Sequence, residues 1–140
     1  SAQSGRPFTP RISIDNSNTG NTGGATFASD RPDVLTGAPA PGQATFTYRG
    51  QTFVMPAKYT FGNAGRNILT GPGYASLDAL LSRHVALGAA RSLELRLEVF
   101  NAFNRRNGSL PDSVVDHATF GQSLAAFAPR QWQVAARFAF

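Results

Sequence analysis

Two stretches near the C-terminal end alternate so strictly that they leave little choice of backbone. Ser92 to Asn101 reads SLELRLEVFN, in which Leu93, Leu95, Leu97 and Val99 alternate with Ser92, Glu94, Arg96 and Glu98. Successive side chains of a strand point to opposite faces, so period two gathers the aliphatics on one side and the charges on the other. A helix would scatter the same four aliphatics around its surface. The chain end repeats the device: Trp132, Val134, Ala136, Phe138 and Phe140 alternate with Gln131, Gln133, Ala135, Arg137 and Ala139. Each run has about the 9–11 residues that a tilted strand needs to cross a bilayer.

Tyr74 to Val85 is open to two readings. As a strand it places Ala75, Leu77, Ala79, Leu81 and Val85 on one face, opposite Ser76, Asp78, Ser82 and His84. As a helix it gathers Leu77, Leu80, Leu81, His84 and Val85 into one stripe, with Ser76 as N-cap. Periodicity alone favours the helix slightly, because Leu80 and Arg83 fall on the wrong faces of the strand.

The first half is punctuated by turn formers. Asp15 to Gly24 reads DNSNTGNTGG, and Pro32, Pro39, Pro41 and Pro56 interrupt the next thirty or so positions. A short hairpin is expected within 43–55, where Gln43–Tyr48 and Gln51–Met55 flank Arg49-Gly50. Phe61 to Gly73, FGNAGRNILTGPG, is again broken by Gly and Pro.

Composition narrows the environment. Charged residues are 15% of the chain, against roughly 25% in soluble domains. No apolar run approaches the roughly 18–20 residues of a membrane helix, whereas alternating strands remain open as a way across. The absence of cysteine excludes disulfides and thiolate chemistry. The +5 formal charge is carried by twelve Arg and one Lys. These are scattered, only Arg105 and Arg106 being adjacent, so no nucleic-acid partner is expected.

The chemistry-bearing residues form no recognised site. There is no GxSxG elbow and no phosphate loop. His84 and His117 lack metal-ligand spacing, and Asp15-Asn16-Ser17-Asn18 lacks the spaced acids and distal Glu of a calcium loop. Glu94, Arg96 and Glu98 read as charges on one wet strand face. No catalytic residue, cofactor or metal ion is expected, and the chain is not expected to be an enzyme.

Amphipathic strands of this kind fit a soluble sandwich, where the apolar face meets another sheet, or an outer-membrane barrel, where it meets lipid. The connections decide. Ala86–Arg91 is short, while Ala102–Pro129 and the region before Tyr74 are long, and short turns on one side with long loops on the other are how outer-membrane barrels are built.

The blocks Ser4-Gly5-Arg6-Pro7-Phe8-Thr9, Phe61-Gly62-Asn63-Ala64-Gly65-Arg66-Asn67-Ile68-Leu69 and Gly71-Pro72-Gly73-Tyr74 are followed by Arg96-Leu97-Glu98-Val99-Phe100-Asn101-Ala102-Phe103-Asn104. Phe120-Gly121, Pro129-Arg130-Gln131-Trp132-Gln133 and the terminal Phe140 complete the set. In order and spacing they resemble the C-terminal end of TonB-dependent outer-membrane receptors, of the carboxypeptidase-regulatory-domain-bearing, acidobacterial type. The match is good from Phe61 to Phe140 and thin between Asp15 and Met55.

The resemblance implies the last strands of a barrel of about 22. Residues 1–73 become a strand remnant and a long extracellular-type loop, and residues 74–140 three barrel strands (74–85, 92–101 and 130–140). It also moves 74–85 from helix to strand. Leu93, Leu95, Leu97, Val99, Trp132, Val134, Phe138 and Phe140 become lipid-facing or strand-pairing residues; Glu94, Arg96, Glu98 and Arg137 face the lumen. Implied partners are the rest of the barrel, a plug domain, the barrel-assembly machinery and, indirectly, TonB. Plug, TonB box and N-terminal barrel half are not in this stretch, and three long strands cannot close a barrel.

The expected fold is therefore all-β: antiparallel amphipathic strands from the end of an outer-membrane-type barrel, with long loops, not closed by itself. The expected function is nutrient uptake across the outer membrane. Two alternatives stand beside it: a cell-surface or extracellular structural protein whose identical copies pair strand to strand into a fibre or array, and a soluble sandwich binding module.

Overall fold

The computed structural model describes residues 1–20, 30–88 and 91–140, so positions 21–24 of the Asn/Thr/Gly run and 89–90 of the short turn lie outside it. The described residues form ten strands and no helix. They group into two compact units, one of residues 1–4, 73–107 and 126–140 and one of residues 5–72 and 108–125. This grouping differs from a division at residue 73, because residues 108–125 pack with the first half of the chain and residues 1–4 with the second.

The strand unit holds β1 (Ala2–Gln3), β7 (Tyr74–Ala75), β8 (Ala79–Ala86), β9 (Ser92–Phe100) and β10 (Gln131–Ala139). The long strands form one antiparallel sheet in the order β10-β9-β8, and β1 pairs with β7. Pairing is continuous from Ser92↔Ala139 to Phe100↔Gln131 on one side and from Ala86↔Ser92 to Ala79↔Val99 on the other. Leu80 and Arg83 stay on the faces that the strand reading assigns them, and the cross-strand ladder outweighs the helical stripe.

The expected strand 74–85 is in fact two. It breaks at Ser76–Asp78, where the Asp78 carboxylate accepts hydrogen bonds from Ser76 Oγ (2.8 Å) and from the Asn101 N–H (2.9 Å). A carboxylate that recruits neighbouring donors competes with the ladder. β7 is left to pair with β1, closed by a hydrogen bond from the Ser76 N–H to the Ser1 carbonyl at 2.9 Å.

The second unit holds β2 (Pro7–Phe8), β3 (Asp33–Val34), β4 (Thr45–Tyr48), β5 (Gln51–Val54) and β6 (Leu69–Thr70). β2 pairs with β6, and β3, β5 and β4 form an antiparallel sheet in that order. The β4–β5 hairpin turns on Arg49 (φ +47°) and Gly50 (φ +84°). Two consecutive positive φ values match the right-handed twist of the strands they join. Arg49 accepts this backbone with its guanidinium over the Tyr48 ring, 5.5 Å from the centroid.

The region read from sequence as a long loop thus has a core of its own. Phe8, Ile12, Phe53, Ala64, Leu69 and Val115 are buried together. Phe120 stands edge-on to Phe53 at 6.1 Å, and Tyr48 edge-on to Phe8 at 5.5 Å. Residues 108–125 enter through two backbone hydrogen bonds of 2.8 Å, from Arg11 N–H to the Ser113 carbonyl and from Val115 N–H to the Arg11 carbonyl. Their own turn is organised by Asp112. Burial pushes this carboxyl up, but hydrogen bonds from Thr119 Oγ1 (2.6 Å), the Val114 N–H (3.0 Å) and His117 (3.0 Å) outweigh it and hold the carboxyl below its ordinary value.

Candidate functional site

The sheet β8–β9–β10 gathers the residues that the alternation singles out. Directly opposed residues of an antiparallel pair point to the same face, so the register assigns every side chain. One face carries, row by row from the short turn, Val85, Leu93 and Phe138; Arg83, Leu95 and Ala136; Leu81, Leu97 and Val134; Ala79, Val99 and Trp132. The opposite face carries His84, Glu94 and Arg137; Ser82, Arg96 and Ala135; Leu80, Glu98 and Gln133. All the predicted lipid-facing residues within the strands therefore share one side, and all four predicted lumen-facing residues the other.

The apolar side is uncovered. Leu81 is 69% exposed, Val134 77% and Trp132 62%, values that would be costly to maintain against water across a contiguous patch. Phe140 lies beyond the last paired residue with its ring 5.9 Å from Phe138. Trp132 at one end and Phe138 at the other are about 20 Å apart along β10, with aliphatic rows between them. That is the vertical order of an aromatic girdle, a greasy band and a second girdle. Arg83, the charge on this face, sits one row from the short turn, where a long basic side chain reaches the interface.

The wet side is electrostatically mixed. Arg96 lies 3.7 Å from Glu98 along β9, and Glu94 stands between His84 and Arg137 on its two neighbours. Glu94, Arg96, Ala135 and Arg137 line a shallow concavity of about 210 Å³. Phe100 opposes Gln131 on this wet side.

β8 and β9 are joined through a short turn in which the Leu87 N–H reaches the Arg91 carbonyl (2.8 Å). At the other end of the sheet the connection 101–130 is long, and Asn101 organises it. Asn101 is buried with φ +49°, a conformation Asn tolerates better than most residues. Its Nδ2 donates to the carbonyls of Arg105 (3.0 Å) and Ala128 (3.3 Å), and its Oδ1 accepts the Arg105 N–H (3.1 Å). Asn104, also at positive φ, accepts the Arg130 N–H (3.1 Å) at the start of β10. The buried Asn107 pairs with both backbone groups of Ala75 at 2.9 Å.

Sequence reasoning placed Asn101 at a strand end and Asp78 on a polar strand face, but it gave none of Asp78, Asn101, Asn104 and Asn107 the hydrogen-bonding task seen here. Asn in a segment leaving a strand, where positive φ is needed, was the available signal. Replacing Asn101 with Ala leaves the backbone groups of Arg105 and Ala128 without partners, an expected loss of about 1–3 kcal/mol. A urea midpoint in detergent unchanged by the substitution would count against this clamp.

His84 and His117 are in different units, and among the described residues no three His, Asp or Glu side chains converge as a metal site would require.

An uncovered antiparallel sheet, greasy on one side, wet on the other and clamped at its long-loop end, is the geometry of a barrel wall. The family model described as an outer membrane beta barrel domain matches residues 1–133. The chain belongs to that family. The match reaches into both units and the first three residues of β10, and the family points to the bacterial outer membrane as the setting. No curated protein and no solved structure matches the chain.

Proposed function

We propose that this stretch is the closing end of a TonB-dependent receptor that takes up a scarce nutrient across the outer membrane. The observation that carries the reading is the sheet's two-sidedness combined with its open edges. Among the described residues β8 and β10 each pair on one side only. In lipid an unpaired strand edge leaves backbone donors and acceptors unsatisfied at several kcal/mol each, so both edges require further strands. The rest of the barrel supplies them, with the first strand closing on β10. In this reading Leu93, Leu95, Leu97, Val99, Trp132, Val134, Phe138 and Phe140 meet lipid. Glu94, Arg96, Glu98 and Arg137 face a plug domain or passing cargo, and the aromatic C-terminus is the handle for the barrel-assembly machinery. The order of motifs that resembles these receptors supports the finer assignment.

The two open edges are also what a self-pairing fibre would use, and one experiment separates the readings. A photo-cross-linker at Ser82 on β8, activated in native outer membranes, reports the neighbour of that edge. The expected product lies within one long barrel polypeptide that also cross-links to TonB. A ladder in steps of 14.9 kDa would instead mean identical copies paired edge to edge, and would overturn the receptor reading.

A further inference from the structure

We propose that the long-loop end of the sheet carries a binding site for the phosphate group of a membrane lipid, built on Arg105, Arg106 and Arg130. All three are exposed, and asparagines fix the backbone around each. Both backbone groups of Arg105 are held by the Asn101 side chain, the N–H at 3.1 Å and the carbonyl at 3.0 Å. Arg106 is bounded on its other side by the buried Asn107, which is bonded to both backbone groups of Ala75. The Arg130 N–H donates to Asn104 Oδ1 at 3.1 Å. Asn101 Nδ2 also holds the Ala128 carbonyl (3.3 Å), so the 105–106 and 128–130 segments meet at one donor. Anchoring of this kind lowers the ordering cost of binding.

The three charges are not answered within their own unit. Its side-chain carboxylates are Asp78, Glu94 and Glu98. Asp78 accepts hydrogen bonds from Ser76 Oγ and the Asn101 N–H. Glu98 lies beside Arg96, and Glu94 opposes Arg137 in a row near the short turn. No ion pair reaches Arg105, Arg106 or Arg130 among the described residues. Counting Asp78, and Glu98 with Arg96, this end still keeps an excess of positive charge. Like charges gathered at one place raise the local potential and favour a counter-anion. Position selects the anion. Arg130 precedes β10 by one residue and shares the parity of Trp132, the girdle ring at this end of the lipid face. Long basic side chains beside such a face reach head-group phosphates, and the planar guanidinium fork matches phosphate oxygens. Phe103, 79% exposed in the same turn, adds an interfacial ring.

The site rests on the lipid-facing wall and not on the receptor reading, and the chain's single tryptophan, Trp132, is a probe placed beside it. The full chain is held in dodecyl maltoside micelles, and lipids with brominated acyl chains are added to quench Trp132 fluorescence. Brominated phosphatidic acid is expected to quench at a mole fraction about tenfold lower than brominated phosphatidylcholine, with added salt narrowing the difference. The double replacement Arg105→Ala and Arg106→Ala leaves the backbone bonds to Asn101 in place. It is expected to erase the preference while quenching by phosphatidylcholine stays as it was, and Arg105→Lys with Arg106→Lys to keep part of the preference. Arg83→Ala, on the lipid face at the short-turn end, changes nothing. Equal quenching by the two lipids, or the same loss in Arg83→Ala, overturns the site. Relief of the phosphatidic acid effect by equimolar inorganic phosphate overturns the lipid ligand in favour of a free anion. Quenching by neither lipid overturns the lipid-facing assignment of Trp132 and the site with it.

Discussion

Leu97→Arg is expected to abolish insertion of the sheet into the outer membrane. Leu97 sits mid-strand on β9 between Leu81 and Val134, the row with an aliphatic residue on all three strands. An arginine at the midplane of a barrel's lipid face costs about 2–4 kcal/mol, and here no adjacent row offers it a carboxylate on the same side. The partner experiment is Gln133→Arg, one position away on β10 and facing the other side, where it opposes Glu98. The same charge on the wet face is expected to leave insertion unchanged. The readout is the fraction of chain in the outer membrane with heat-modifiable mobility. Equal tolerance of both arginines would mean that neither face meets lipid, and the barrel-wall assignment of these strands would fall.

Phe53→Ala is expected to unfold the second unit. Phe53 is fully buried on β5, with Phe120 edge-on against it at 6.1 Å. Truncating a buried Phe costs about 3–5 kcal/mol through lost transfer energy and the cavity left behind. A whole domain has only about 5–15 kcal/mol to lose. Lys58 and Arg66 are exposed trypsin sites within this unit, so limited proteolysis reads the change directly, as faster cleavage at both. Cleavage at the rate of the parent chain would show that the aromatic core is not what holds this unit together.

These two parts of the chain differed greatly in legibility. The strands at 92–101 and 130–140 could be read because their signal is local. Each residue's face is set by its parity, and the observed strands, Ser92–Phe100 and Gln131–Ala139, end within a residue of the expected limits. The segment 74–85 was harder because Leu80 and Arg83 break parity, and only pairing with β9 settles it as strand. Its interruption at Ser76–Asp78 depended on Asn101, more than twenty positions away, and no local pattern announces such a partner.

The core of the second unit was not legible. Phe8 and Ile12 stand singly near prolines, and Phe53, Leu69 and Val115 lie in apolar runs of two or three residues, so apart from the expected hairpin no window is long enough to carry a periodic signal. Stretches that look like loops acquire a core when distant apolar residues meet. A cavity of the second unit lined in part by Arg11, Arg31 and Arg66 was hidden for the same reason. Arg11, Arg31 and Arg66 read as scattered charges, and only the docking of their three segments brings them together.

Alternation alone determined that this chain presents a greasy sheet face and a wet one, because side-chain direction along a strand depends on nothing but position. Tertiary structure decided everything that needs two distant segments to meet: where the ladder stops, how Asn101 and Asp78 clamp its end, which isolated aromatics make a core, and which arginines share a cavity. Such meetings are set by the summed energy of many long-range contacts, and that sum is not written in any one stretch of residues.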